Sequence, residues 1–378
     1  MNMTPESEQE LAEAVQDAKG PLRVLGGGTR DVGRPVEGAE LCTAGLSGVA
    51  LYEPGALTLV VGAGTPLARV EEVLAGEGQR LAFEPMDHRR LLGSAGTPTI
   101  GGVVAGNISG PRRVQVGAAR DFLLGVRFVD GSGQALQNGG RVMKNVTGYD
   151  LVKLLAGSWG TLGVLSQVSL KVLAIPEAEV TLVAGGMDAA AGQAVLARAL
   201  GSPFEVSGAA HLGGETLLRI EGLEASVRYR ADALRAHLGG DWQLVEGEAS
   251  AARWRDLRDV APLARAPVVW RLSVKPSEAP LIAAALDDRG LAHEALYDWG
   301  GGLMWIAPDA ACEDGGAALI RAEIAARGGH ARLEKAPVAL RRQIAVFQPQ
   351  SPLVTRLSAE IKHKFDPRGV LNPGLMGV

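Results

Sequence analysis

The sequence predicts an α+β protein in two parts: a glycine-rich mixed α/β layer, then an antiparallel sheet covered by helices on one face. Three observations lead there. Near the start of the chain a short apolar strand runs twice into a glycine turn, and the second time a helical pattern follows directly. A hairpin is written at residues 122–137, with Asp130-Gly131-Ser132-Gly133 as its turn. Beyond Ile175 glycine thins, alanine-rich helical stretches take over, and the order strand, helix, strand, strand, helix, strand sets in.

Taken in order, residues 5–18 read as a helix, since Leu11, Ala14, Val15 and Ala18 recur at helical spacing behind an acidic first turn. A strand at 22–25 runs into Gly26-Gly27-Gly28-Thr29-Arg30. A second strand at 57–61 ends in Gly62-Ala63-Gly64, and Thr65 is placed to cap a helix starting at Pro66, with Leu67, Val70, Val73 and Leu74 on one face. Residues 93–117 carry many glycines and little helical period, so they read as long loops around one helical turn. Loops of that length in a compact domain are usually functional. After the hairpin come Lys144 to Asp150, a short helix with Leu151, Leu154 and Leu155, the turn Gly157 to Gly163, and a strand at 164–173. One strand-helix pass fits residues 179–246 and a second fits 268–335, the ferredoxin-like order. A helix at 351–365 stops at Asp366-Pro367, before the tail GVLNPG.

Composition narrows the function classes. A chain of 378 residues, 47% hydrophobic, can bury full cores in two domains. A formal charge of -4 leaves no basic excess for a phosphate backbone, which argues against nucleic-acid binding. No apolar run reaches about 18 residues, and the opening stretch is polar and acidic, so neither a spanning helix nor a secretory signal is expected and the cytoplasm is. Cys42 and Cys312 are far apart and form no CxxC pair; they read as buried thiols, not a disulfide or a zinc knuckle.

The chemistry sits in the glycines, 51 of them against 4% aromatics. Gly26, Gly27 and Gly28 after a strand leave backbone amides unshielded, and these can converge on a phosphate oxygen, with Thr29 adding a hydroxyl and Arg30 a charge. Alone, the triplet serves equally in a plain turn. The GxGxxG spacing of a nicotinamide site is not met. A second stretch, with Thr97, Thr99, Ile100, Gly101, Gly102, Gly106 and Asn107, is again nearly free of side chains and flanked by hydroxyls, and two such loops could clamp a diphosphate from both sides.

Five segments in order, GGGTR, PTIGGVVAGNISG, GAARDFLLGVRFVDGSG, KNVTGYDLVKLLAGSWGTLGVLSQVSLKV and FDPRGVLNPG, resemble the FAD-binding module shared by vanillyl-alcohol oxidase, para-cresol methylhydroxylase and D-lactate dehydrogenases. GPRR followed by GAARDFLLG and VMKNVTGYDL is most similar to the family of FAD-binding E subunits of bacterial glycolate oxidase. The resemblance implies an FAD-binding domain over 1–175 in two subdomains (about 1–50 and 51–175), a cap over 176–345, and a segment 346–378 returning to the first domain. It implies that Gly26 to Thr29 and Thr99 to Gly102 hold the diphosphate, that Gly106 and Asn107 follow the ribityl chain, that Gly163 and Val164 meet the adenosine end, and that Asn372 returns to the flavin region. Some relatives link FAD to a histidine in the first glycine loop; here GTRDVG has none, so non-covalent FAD is implied, with His88 the nearest downstream candidate.

Oxidation of a small 2-hydroxy acid needs a cation for its carboxylate, and Arg112 and Arg113 are the sequence candidates, with an exposed basic pair or a subunit contact as the plain alternative. Arg120 and Asp121 read as an ion pair or loop anchor. Relatives that oxidise the acid themselves carry a histidine-rich GHxGDGNxH segment in the cap, and this chain lacks it; His211, His237, His293, His330 and His363 stand singly, so no metal is expected. The resemblance therefore implies a subunit of a 2-hydroxy-acid dehydrogenase that relays electrons beside a larger flavoprotein subunit and an iron-sulfur subunit, at the inner membrane only through partners. The alternatives are a self-sufficient FAD-dependent D-lactate dehydrogenase and a non-catalytic assembly subunit. Trp254, Trp270, Trp299 and Trp305 read as cap core residues.

Overall fold

In the computed structural model, which describes residues 2–141, 148–309 and 312–377, the chain divides into two compact units. One comprises Met1–Ser109, Ala118–Ile175 and Pro349–Val378; the other comprises Gly110–Gly117 and Pro176–Gln348. The motif residues Lys144 to Thr147 lie outside the described residues.

The first helix of the first unit, Glu8–Gln16, starts where the Ser7 hydroxyl accepts the Glu10 amide and carries Glu8 and Glu10 in its first turn. Leu11 and Val15, one helical turn apart, are fully buried beside Leu22, Leu41, Val129 and Leu371. Strands Asn2–Met3, Ala39–Cys42 and Leu22–Leu25 form a parallel sheet in that order. The tail completes it: the Leu22 amide donates to Val370 O (2.7 Å) and the Asn372 amide to Leu22 O (3.0 Å). Asp366 makes this return possible, because its carboxylate accepts the Val370 and Leu371 amides where helix Pro352–Phe365 stops. Beside it stands an antiparallel five-stranded sheet in the order Val49–Glu53, Thr58–Gly62, Val164–Lys171, Leu123–Val129, Ala135–Gly139. Thr65 does not cap helix Leu67–Ala75 as its position suggests; its hydroxyl accepts the Gly48 amide (2.9 Å), and Pro66 occupies the cap position without a side-chain bond. Both cysteines are partly exposed rather than buried.

The second unit is one antiparallel sheet of eight strands in the order Gln243–Glu246, Ala178–Ala184, Glu215–Gly222, Gly208–Leu212, His293–Asp298, Leu303–Pro308, Val269–Ser273, His330–Lys335. Each half has the ferredoxin-like order, and the halves join where Gly208–Leu212 pairs with His293–Asp298. The α+β expectation therefore holds. Alternation assigns the faces: Trp270, Leu272, Met304 and Ile306 enter a core with Ile282 and Leu286 of helix Ala279–Asp288 and Ile320 and Ile324 of helix Ala317–Arg327. Burial of each such side chain stabilises by roughly 1.5 to 3 kcal/mol. Trp254 and Trp270 are fully buried and bonded, to Thr181 Oγ1 and Gly315 O, both at 2.7 Å.

Candidate functional site

The two glycine loops meet. Strand Leu22–Leu25 delivers Gly26 to Gly28 against residues 96–102, where the Thr97 amide donates to Gly27 O at 3.1 Å. A Cβ on Gly27 would stand 1.5 Å from Thr97 O, and one on Gly26 would stand 2.4 Å from Thr99 Oγ1. The absence of side chains is thus a condition of the contact. Behind the second loop, the Gly101 amide donates to Ala63 O (2.8 Å) and the Ile100 amide to Thr65 O (3.1 Å), so the Gly62-Ala63-Gly64 turn supports it.

Together these segments line a solvent-open groove. Its walls include Gly26, Gly27, Gly28, Thr29, Arg30, Thr99, Gly101, Gly102, Gly163 and Val164, all singled out from sequence. They also include Val24, Leu25, Thr43, Ala63, Ala105, Ser158, Trp159, Gly160 and Leu165, which sequence reasoning does not pick. Trp159 holds a left-handed backbone (φ 55°) inside Gly157-Ser158-Trp159-Gly160, and its flanking glycines are the available signal. Arg30 is fixed from behind: its Nε donates to His88 Nδ1 (3.2 Å) and its terminal nitrogen to Met86 O (3.3 Å). His88, the nearest histidine downstream of the first glycine loop, is buried in that contact.

The remaining site candidates hold the walls instead of forming them. Ile100 is core, Thr97 is an exposed strut, and Gly106 lies off the groove. Asn107, left-handed at φ 49°, accepts the Arg120 amide through Oδ1 (3.0 Å). Asn372, left-handed at φ 42° and buried, accepts the Val24 amide at 2.8 Å and donates to Trp159 O at 2.9 Å, tying two groove walls together. Asn372→Ala strands both partners, so thermal melts should show a loss of about 2 to 4 kcal/mol, together with weaker flavin retention.

Arg112 and Arg113 belong to the other unit, where Arg112 enters a cluster of carboxylates and Arg113 lies against an indole ring. Glu179 and Glu221 face each other across adjacent strands, which alone would be repulsive. Arg112 grips Glu221 with two nitrogens, each at 2.9 Å, and lies 3.8 Å from Glu179, while Arg219 adds a third contact to Glu221 at 3.3 Å. Arg113 stacks 4.5 Å over Trp299. Arg120 and Asp121 do form the expected ion pair, at 3.8 Å. His211 is buried on Thr216 Oγ1 (2.9 Å), and His237, His330 and His363 are exposed. Among the described residues no group of three or more His, Cys, Asp or Glu could hold a metal, and no helix is long and apolar enough to cross a membrane.

Residues 2–139 match the FAD binding domain family. Over 371 residues the chain is 35% identical to glycolate oxidase subunit GlcE of Escherichia coli, covering 97% of this chain and 95% of that protein. The chain belongs to the GlcE family. It is also 35% identical over 144 residues to glycolate oxidase subunit GlcD of Bacillus subtilis, but only 38% of this chain and 27% of that one are involved. A 4-ethylphenol oxidase from Gulosibacter chungangensis shares the fold, with a TM-score of 0.71 at 15% identity, over 100% of this chain and 88% of the other. This GlcE-family chain is an FAD-dependent oxidoreductase. The groove suits the cofactor chemically, since its glycines leave an unshielded row of amides where a Cβ would collide with the facing loop.

Proposed function

We propose that this chain holds FAD without a covalent link and works as a flavin subunit of a glycolate oxidase, in which glycolate becomes glyoxylate and electrons leave through an iron-sulfur partner. The observation that carries this reading is the direct join of the two glycine loops as one groove wall, in a chain aligned with GlcE over nearly its whole length. FAD supplies the two-electron acceptor that oxidation of a CH–OH group requires. The amides of Gly26 to Gly28, with Thr29 and Thr99, bind the diphosphate. Arg30, positioned by His88, adds positive charge beside Gly102. Gly163 and Val164 receive the adenosine end, and Asn107 and Asn372 brace the walls on which the rest of the cofactor lies.

The chain relays electrons and leaves substrate chemistry to a larger flavoprotein subunit. Two separated cysteines cannot supply the four thiolates of a cluster, so the acceptor is another chain. The subunit stays in the cytoplasm, reaching the inner membrane only through its partners.

Purification of the full chain tests each part. The protein should be yellow, absorbing near about 450 nm, and acid precipitation should release FAD into the supernatant. A flavin that stays in the pellet overturns non-covalent binding. Anaerobic glycolate or D-lactate should leave the flavin of the isolated chain oxidised and bleach it in the complex recovered from native cells. Rapid bleaching of the chain alone sinks the relay.

A further inference from the structure

On the sheet face opposite the helical core of the second unit, the pairing places Trp305, Arg271 and Arg332 side by side across three adjacent strands. Their neighbours Trp270, Leu272 and Met304 point the other way into the core, so alternation commits this row to the opposite face. Arg271 stacks 5.2 Å from the Trp299 ring and 5.8 Å from Trp305, and Arg113 covers Trp299 at 4.5 Å. The Arg113 and Arg271 guanidiniums are therefore no further apart than the sum of their two distances to the Trp299 ring.

Arg332 has its counterion in Glu334, at 2.6 Å. Arg271 does not: among the described residues it has stacking partners but no hydrogen-bond or ion-pair partner. Protein atoms crowd its guanidinium, and burial, with Arg332 and Arg113 adding to it, pushes its pKa down to about 9. The residue still keeps some solvent contact, the access that an incoming ion needs. Two like charges paired across strands, one of them without a counterion, repel each other, and an arriving anion relieves that repulsion.

We propose that Arg271, flanked by Arg113, Trp299 and Trp305, is a binding site for a small monocarboxylate. A guanidinium stacked on an indole keeps its N–H edge free, and that edge matches the two oxygens of a planar carboxylate. Charge sets the valence. Arg332 is matched by Glu334, so the charge left at Arg271 is a single positive one, which a monoanion neutralises. A phosphate dianion leaves excess negative charge there. The residues of this site all belong to the second unit, and its test does not need turnover.

The probe is 2-hydroxyisobutyrate, a 2-hydroxy acid with no α-hydrogen to lose, added to the purified full chain at fixed ionic strength. It should raise the melting temperature and change tryptophan fluorescence, and inorganic phosphate at equal ionic strength should do neither. Arg271→Gln should weaken binding roughly tenfold to hundredfold, and Arg271→Lys, which keeps the charge but loses the fork, should fall between. If Arg271→Gln does not fold, Arg271→Lys carries the comparison. No response in the wild type, an equal response in the variant, or a stronger response to phosphate overturns the proposal. Loss of flavin or absence of glycolate turnover, by contrast, bears only on the function proposed above.

Discussion

Gly27→Ala should yield protein that no longer carries flavin and is destabilised by at least about 3 kcal/mol. The added methyl would lie 1.5 Å from Thr97 O and 2.6 Å from its carbonyl carbon, and both are backbone atoms with no rotamer to change. The loops must part, and the bond from the Thr97 amide to Gly27 O breaks with them. Gly28→Ala is the informative control. Gly28 is left-handed at φ 71° but has nothing within 4 Å of a built Cβ, so alanine there costs only about 1 to 2 kcal/mol. Absorbance near about 450 nm and chemical denaturation of both variants check this. Flavin retained by Gly27→Ala, or lost equally from both, would show that the close approach of the loops does not organise the groove.

Arg112→Ala should cost about 3 to 5 kcal/mol at neutral pH, because it leaves the buried Glu221 carboxylate facing the half-buried Glu179 with Arg219 still in contact. The loss should shrink in acid. Burial raises the pKa of Glu179 above its usual 4.5, against the pull of Arg219, a hydrogen bond from Ser250 and the weaker pull of Arg112. A raised carboxyl pKa means that the folded chain holds the proton more tightly than the unfolded chain, so this group disfavours folding increasingly as pH rises from the unfolded value through the folded one. Removing Arg112 lifts that folded value further, and below it the neutral acid needs no cation. Urea unfolding of wild type and variant across that range measures the difference. A deficit that stays constant with pH would place the cost elsewhere, in lost packing of the Arg112 stem.

These residues show where the sequence is readable. A run of glycine amides needs no partner to be recognised, because the missing side chains are themselves the signal; hence Gly26 to Gly28 and Gly101-Gly102 stand out in one dimension. The helical period behind Leu11 and Val15 and the hairpin around Asp130 are local for the same reason. Trp159 escapes such a reading, since its place on the groove depends on a left-handed turn and not on its chemistry. Arg112 and Arg113 read as free cations along the chain, whereas Arg112 has its counterion at Glu221, more than a hundred positions away and brought opposite Glu179 only by strand register.

By itself, the sequence determined the fold class, the family and the cofactor, because these rest on local periodicity and on ordered motifs whose spacing is a property of the linear chain. Tertiary structure alone decided which arginines are neutralised, that Asn372 ties the groove walls together, and that Arg271 remains among aromatic rings without a counterion among the described residues. Charge compensation and close approach are relations across space, set by which strand lies beside which, and no short stretch of chain contains them.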